Sequence, residues 1–238
     1  MKRITIWLGL ALVSAMAMMF SASPLRAAIN LVTNPGFEDP AVPGPPAFNL
    51  GPITGWQQHA NGPSGTGVSG VWRPAAYGAI AMDPAINGLQ AAYAGNGPGA
   101  GDNGAYIYQD VGPVITGGVY SLSLLVGERN DYPIGNYEIA LGTFLSGTFV
   151  PWDIVQNPVT TPGFWSPVSV TYSSTDDTGD LYIFLEGGLG PAGIVQASFD
   201  NVSLIYTPEP GSLVIWSLIG LTIGAAGWRR RRRQKLVA

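Results

Sequence analysis

The chain has 238 residues, with 11 Lys and Arg against 15 Asp and Glu, one histidine and no cysteine. The lack of cysteine excludes disulfides, zinc–thiolate sites, redox dithiols and a cysteine nucleophile. Residues 29–207 hold fourteen acidic residues against only Arg73 and Arg129, a formal charge of −12. That balance argues against nucleic acid or anionic lipid as a partner and suits divalent cations or neutral ligands.

Taken in chain order, residues 1–28 read as an export signal. Lys2 and Arg3 form a charged start, Ile4 to Phe20 is an uncharged apolar run, and "SASPLRAA" supplies small residues for cleavage after Ala27 or Ala28. Residues 29–206 then form one predicted domain, long enough for a substantial core. Two Gly/Pro-rich stretches, Pro40–Pro52 and Asn61–Gly70, are predicted surface loops. Short runs of β-type residues follow: "NGLQAAYAG", "GAYIYQDVG", "GVYSLSLLVGE", "GNYEIALG", "FWSPVSVTYSS", "DLYIFLEGG" and "ASFDNVSLIY". Alternation places Tyr120, Leu122, Leu124 and Val126 on one face, as it does Val168, Val170 and Tyr172, and Leu181, Ile183 and Leu185. No window shows a sustained 3.6-residue apolar period. The predicted fold is all-β, an antiparallel jelly-roll sandwich or barrel with little helix.

The C-terminal segment, residues 207–238, is of another kind. Pro208-Glu209-Pro210 precedes Gly211–Trp228, which carries no charge, and Arg229–Arg233 follow. At ~1.5 Å per residue that run reaches about 27 Å, close to the ~30 Å hydrocarbon thickness of a bilayer. Trp228 suits the interface and the arginines a cytoplasmic stop-transfer signal, so one transmembrane helix with an outward-facing domain is predicted.

Catalytic motifs are weak. Glu128, Asp131 and Glu138 could compose a carboxylate pair, but acidic neighbours are common in so acidic a domain. His59 sits in "QQHANG" with no G-x-S-x-G motif nearby, and "GTGVSG" and "GNGPGAG" lead into no helix. "NVS" at Asn201 matches a glycosylation sequon inside a predicted strand. The expectation is a protein that is not an enzyme.

Three pieces carry a resemblance. "NLVTNPGFEDP", "GPITGWQQ" and "ASFDNVSLIY" occur in the order seen in the jelly-roll carbohydrate-binding-module and galactose-binding-like superfamily, which this domain resembles over residues 30–206. The resemblance implies first and last strands side by side and a structural Ca2+ between them. Glu38 and Asp200 would be its ligands, with Asp39 and Asn201 as weaker neighbours. It also implies non-catalytic binding of carbohydrate, such as an exopolysaccharide, through aromatic faces and polar partners. Trp72, Arg73, Arg129, Asn130, Asp131 and Tyr132 are the candidate ligand-binding residues, while Trp56 reads as core. The alternative is a structural matrix or biofilm protein that binds no sugar.

The tripartite C-terminus resembles the PEP-CTERM sorting signal of Gram-negative bacteria. In that family an exosortase-type membrane protease is the partner of Pro208, Glu209 and Pro210. The resemblance implies an inner-membrane intermediate that is then processed to the cell envelope surface or extracellular matrix. The prolines hold the backbone extended and present Glu209 outward.

Overall fold

Period-2 alternation is what builds this molecule. The computed structural model describes residues 29–42, 48–60, 67–74, 87–96, 104–157, 160–175, 178–189, 195–208 and 219–225. Among the described residues eleven strands run in order: β1 (Phe48–Asn49), β2 (Gln57–Ala60), β3 (Gly67–Trp72), β4 (Ala91–Asn96), β5 (Ala105–Pro113), β6 (Gly118–Glu128), β7 (Asn136–Leu145), β8 (Thr148–Gln156), β9 (Trp165–Ser174), β10 (Asp180–Leu189) and β11 (Val195–Pro208). They pair into a six-stranded sheet, β1-β3-β4-β11-β6-β9, and a five-stranded sheet, β2-β5-β10-β7-β8. Every strand pairing described is antiparallel. The fold is therefore an all-β antiparallel sandwich, as the alternation predicts.

The core lies between the sheets. Leu122, Leu124 and Val126 of β6, Val168, Val170 and Tyr172 of β9, and Leu181, Ile183 and Leu185 of β10 all join one buried cluster. Full burial of each such aliphatic side chain contributes about 1.5–3 kcal/mol. The N-terminal segment closes the sandwich against the last strand. Leu31 N–H donates to Leu204 O at 2.9 Å and Val202 N–H to Pro35 O at 2.9 Å. The Asn30 amide donates to Val202 O at 3.0 Å and accepts from Leu204 N–H at 2.9 Å. Phe37, fully buried, packs on Trp56 at 5.0 Å between ring centroids. Trp56 donates its indole N–H to Thr33 O at 3.1 Å, so it is a core residue.

Four strands depart from the sequence expectation. Gly67–Trp72 falls largely within the predicted loop Asn61–Gly70, yet it forms β3 between β1 and β4. Its glycine is the reason it fits: a Cβ on Gly70 would stand 2.1 Å from Asn49 O, so only glycine lets β1 approach. β1 itself lies within the predicted loop Pro40–Pro52, and β2 is likewise added by pairing, here with β5. β8 runs unbroken through Pro151, beside which the β7–β8 register shifts between Leu141 and Gly142. An edge strand tolerates the missing N–H of proline at such a bulge.

The chain divides into two units, Asn30–Thr207 and the two terminal segments, Met1–Ile29 with Pro208–Ala238. In the second unit residues 219–225 form a short helix. Among the described residues no helix is long and apolar enough to cross a membrane. The predicted signal 1–28, Glu209 and Pro210, most of the 211–228 span and Arg229–Arg233 lie outside the described residues.

Candidate functional site

The residues singled out for sugar binding form a closed packing cluster. Trp72, at the end of β3, is 1% exposed and packs with Ala91, Tyr93 and Trp165 on the outer face of the six-stranded sheet. The loop after β6 folds over this face. The Arg129 guanidinium lies 4.7 Å from the Trp72 ring centroid and 4.5 Å from that of Tyr132. Its fork is engaged by Asp131, with Nε to Oδ1 at 2.8 Å and Nη2 to Oδ2 at 2.5 Å. The hydrogen bonds from Arg129 hold the Asp131 carboxyl below its usual range. The structure therefore brings together Trp72, Arg129, Asp131 and Tyr132, but it buries Trp72, whose ring a sugar-binding role would need open to solvent. Asn130 is exposed and packs against Gly163, and Arg73 is half-buried.

The predicted metal ligands converge on one backbone segment. Glu38 Oε1 accepts from Leu89 N–H and Gln90 N–H, both at 2.7 Å. Asp200, fully buried, accepts from Asn87 N–H at 2.9 Å and from Asn201 N–H at 2.6 Å. The Gln90 side chain continues this brace, donating to Phe37 O at 2.8 Å and Pro40 O at 3.1 Å. Glu38 of the N-terminal segment and Asp200 of β11 thus clamp residues 87–90 where they enter β4. As a donor set for calcium they supply two carboxylates, and among the described residues no group of three His, Cys, Asp or Glu is gathered.

The three acids weighed as a catalytic pair go separate ways. Asp131 holds Arg129, Glu128 accepts from Thr160 Oγ1 at 2.6 Å, and Glu138 accepts from Gln156 Nε2 at 2.5 Å.

A different surface gathers the groups that could act on a ligand: the outer face of the five-stranded sheet. Inward positions Ala105, Ile107, Leu181 and Ile183 fill the core, so their neighbours Tyr106, Tyr108, Tyr182 and Phe184 must point outward. His59 of β2 stacks on Tyr106 at 4.8 Å, and Tyr106 lies 4.7 Å from Phe184. Phe149 of β8 lies flat over Phe184, with centroids 4.3 Å apart and planes 9° from parallel. Phe144 of β7 meets Phe149 at 5.4 Å, Tyr182 at 5.0 Å and Tyr108 at 4.9 Å. One continuous layer of rings therefore crosses all five strands.

Carboxylates border this layer. Glu186, 8% exposed, stands in register with Tyr106 on one side and Glu138 on the other. Asp110 stands opposite Tyr182. Burial, then Tyr108 and Glu186, push the Tyr106 phenol above its ordinary value. Burial, then Asp110 and Asp180, do the same for Tyr182. Both phenols are neutral donors at neutral pH. This face was missed in the sequence, although alternating aromatics in "AYIYQD" and "LYIFLE" are its signal.

Fold and face together define an antiparallel β-sandwich protein with a layer of aromatic rings on the outer face of its smaller sheet. The HpiC1-like family model, described as HpiC1 cyclase, matches residues 28–205, and the chain belongs to that family. A cyclase from Fischerella sp. TAU, solved in complex with 4-(1H-indol-3-yl)butan-2-one, superposes with a TM-score of 0.60 at 21% identity. That alignment covers 76% of this chain and 98% of that one. A Stig cyclase of the same organism, in complex with (3Z)-3-(1-methyl-2-pyrrolidinylidene)-3H-indole, gives 0.60 at 20% identity over 76% and 99%. A carbohydrate-binding module in complex with beta-1,4-galactotriose reaches only 0.44 at 18% identity, over 76% and 100%, too slight a likeness to argue from. Among curated proteins none matches the sequence. The expectation of a protein that is not an enzyme is thereby corrected: the family points to a cyclase. A ring-closing enzyme needs neither a triad nor a glycosidase pair, so weak hydrolytic motifs carry no weight against it.

Proposed function

We propose that the domain is a cyclase whose apolar substrate lies on the ring layer of the five-stranded sheet, with Glu186 as the proton-transfer group. The observation that carries this reading is the unbroken layer from His59 to Phe149 with a buried carboxyl beside it. Aromatic faces attract positive charge, and ring closures that pass through cations are helped by rings that cannot themselves react as bases. A carboxyl within reach then gives or takes the proton, a contribution of about 10²–10⁴-fold. The molecules held by the Fischerella cyclases carry an indole ring system, a flat group of a kind this layer can stack. The test is incubation of residues 29–207 with 3-alkenylindoles, read by chromatography and mass spectrometry. The expected product has unchanged mass and one double bond fewer. Absence of conversion, together with no binding of 4-(1H-indol-3-yl)butan-2-one, sinks the reading.

Sugar binding is the second reading, and the same stacked rings favour it, since pyranose rings also pack on aromatic faces. Binding on a glycan array that is lost in Phe149→Ala, without any turnover of alkenylindoles, would select it.

The remaining sequence expectations stand as proposals of their own. Residues 1–28 export the domain, and an exosortase-type protease acts at Pro208-Glu209-Pro210 to deliver it to the envelope surface or matrix. The support is the order of the three C-terminal parts. Mass spectrometry of the mature chain should find no species that retains Arg229–Arg233. Calcium held by Glu38 and Asp200 is supported by their convergence on residues 87–90.

A further inference from the structure

The charge pattern around the ring layer says more than that it is aromatic. The only basic residues of the Asn30–Thr207 unit are Arg73 and Arg129. Arg129 is spent on Asp131 beneath Tyr132, and Trp72, which it faces, belongs to the six-stranded sheet. Arg73 directly follows Trp72 at the end of β3 in that same sheet. The strands of the five-stranded sheet contain no lysine or arginine at all.

Glu186, Glu138 and Asp110, by contrast, are on that sheet and on the outward side of it. Glu186 and Glu138 are directly paired across β10 and β7, where opposed Cβ atoms stand about 4.5–5.5 Å apart. Asp110, opposite Tyr182, marks the other end of the rings. Between these ends the Tyr106 and Tyr182 phenols are neutral, so their rings keep the electron-rich face that a cation seeks without adding charge of their own. A negative field from both ends, focused over a half-buried apolar floor, attracts positive ligands and repels anions. A neutral ligand would gain the stacking but not the field.

We propose that the ring layer of the five-stranded sheet selects organic cations, an ammonium or iminium group carried on a flat apolar body. The cation sits over the Tyr106–Phe184 rings and against the Glu186–Glu138 pair. This rests on the ring layer being the substrate site, and it narrows the substrate of the proposed cyclase to one that carries positive charge when it binds. Anionic substrates, organic phosphates among them, are turned away.

Three indoles of similar size and different charge separate the terms: tryptamine, tryptophol and indole-3-acetate, titrated calorimetrically into the Asn30–Thr207 unit, which holds both sheets and the whole core. The expected order is tryptamine at least tenfold tighter than tryptophol, with indole-3-acetate weakest. Raising sodium chloride from 20 to 300 mM should erode the tryptamine advantage and leave tryptophol unmoved. Glu186→Gln should bring tryptamine to the tryptophol level. Should that variant fail to fold, Asp110→Asn and the salt series on the unaltered protein carry the test. Equal affinity for tryptamine and tryptophol, with both lost in Phe149→Ala, would overturn the cation preference while leaving the ring layer as the site. Binding of all three that persists in Phe149→Ala would overturn the site as well.

Discussion

Phe149 lies flat on Phe184 although β7 separates their strands, and Gly142 is what allows it. A Cβ on Gly142 would stand 2.8 Å from the Phe149 ring and 2.3 Å from Val150 O. The glycine leaves a bare patch of β7 for the ring to cross. Gly142→Ala should therefore displace both the ring and the β8 edge, at a cost of about 1–3 kcal/mol for the overpacking. Denaturant unfolding reads that loss. Binding of 4-(1H-indol-3-yl)butan-2-one should weaken about tenfold in the same variant, and Phe149→Ala should weaken it without the strain. Unchanged binding in Gly142→Ala would mean that the stacked pair does not shape the site.

Glu186 is the carboxyl placed among the rings, and its substitution should separate chemistry from binding. Glu186→Gln keeps the shape and the hydrogen-bonding capacity but cannot exchange a proton at neutral pH. Cyclisation kcat should fall about 100-fold or more, in the range that general acid–base groups contribute. KM for a neutral alkenylindole should move little, and the melting temperature should stay within a few degrees. A fall in kcat matched by a collapse of stability would assign Glu186 a structural role instead.

The parts of this fold that were legible in the sequence are those where one face of a strand is apolar and the other is not. Leu122, Leu124 and Val126 alternate with Ser121, Ser123 and Leu125, and the structure buries the first set. The meeting of Asn30 with β11 was legible too, through the motifs at the two ends. The ring layer was not, because Tyr106, Tyr108, Tyr182 and Phe184 present ring bodies as large as the inward residues between them. A strand with large apolar bodies on both faces looks merely buried, and only the pairing of β2, β5, β10, β7 and β8 shows that the outward rings converge. Trp72 failed for the opposite reason. It follows a glycine-rich stretch and so looks exposed, but the Arg129–Tyr132 loop, far along the chain, covers it.

That covering loop should respond to acid. Arg129 holds Asp131, whose carboxyl is shifted below its usual range first by the hydrogen bonds from the guanidinium. A depressed carboxyl pKa adds stability above the unfolded value, near 4, and the contribution disappears as pH falls through the folded value. Asp131 is 38% exposed, so solvent screening keeps the pair under about 1 kcal/mol. Asp131→Asn should flatten the acid limb of a stability–pH profile below about pH 4. Arg129→Ala loses more, about 1–3 kcal/mol, because the guanidinium also fills the space between Trp72 and Tyr132. Its fluorescence should show Trp72 newly exposed. An acid limb identical in Asp131→Asn and the parent would dismiss the pair as a contributor.

Glu38 and Asp200 allow brace and metal to be told apart. Each accepts backbone N–H groups from residues 87–90, and removing the charged acceptor of part-buried donors costs about 1 kcal/mol or more whether or not an ion is present. Glu38→Ala and Asp200→Ala should both destabilise, Asp200→Ala more because its side chain is fully buried. These losses alone say nothing of calcium. The discriminating measurement is the melting temperature of the unaltered protein in excess chelator and again with millimolar calcium restored. An ion bound only by the folded state raises stability by RT ln(1 + [L]/Kd), so chelation should lower the melting temperature and Glu38→Ala should abolish that response. A melting temperature indifferent to chelator, with Glu38→Ala still destabilised, would leave the two carboxylates as a hydrogen-bonded clamp and remove the calcium.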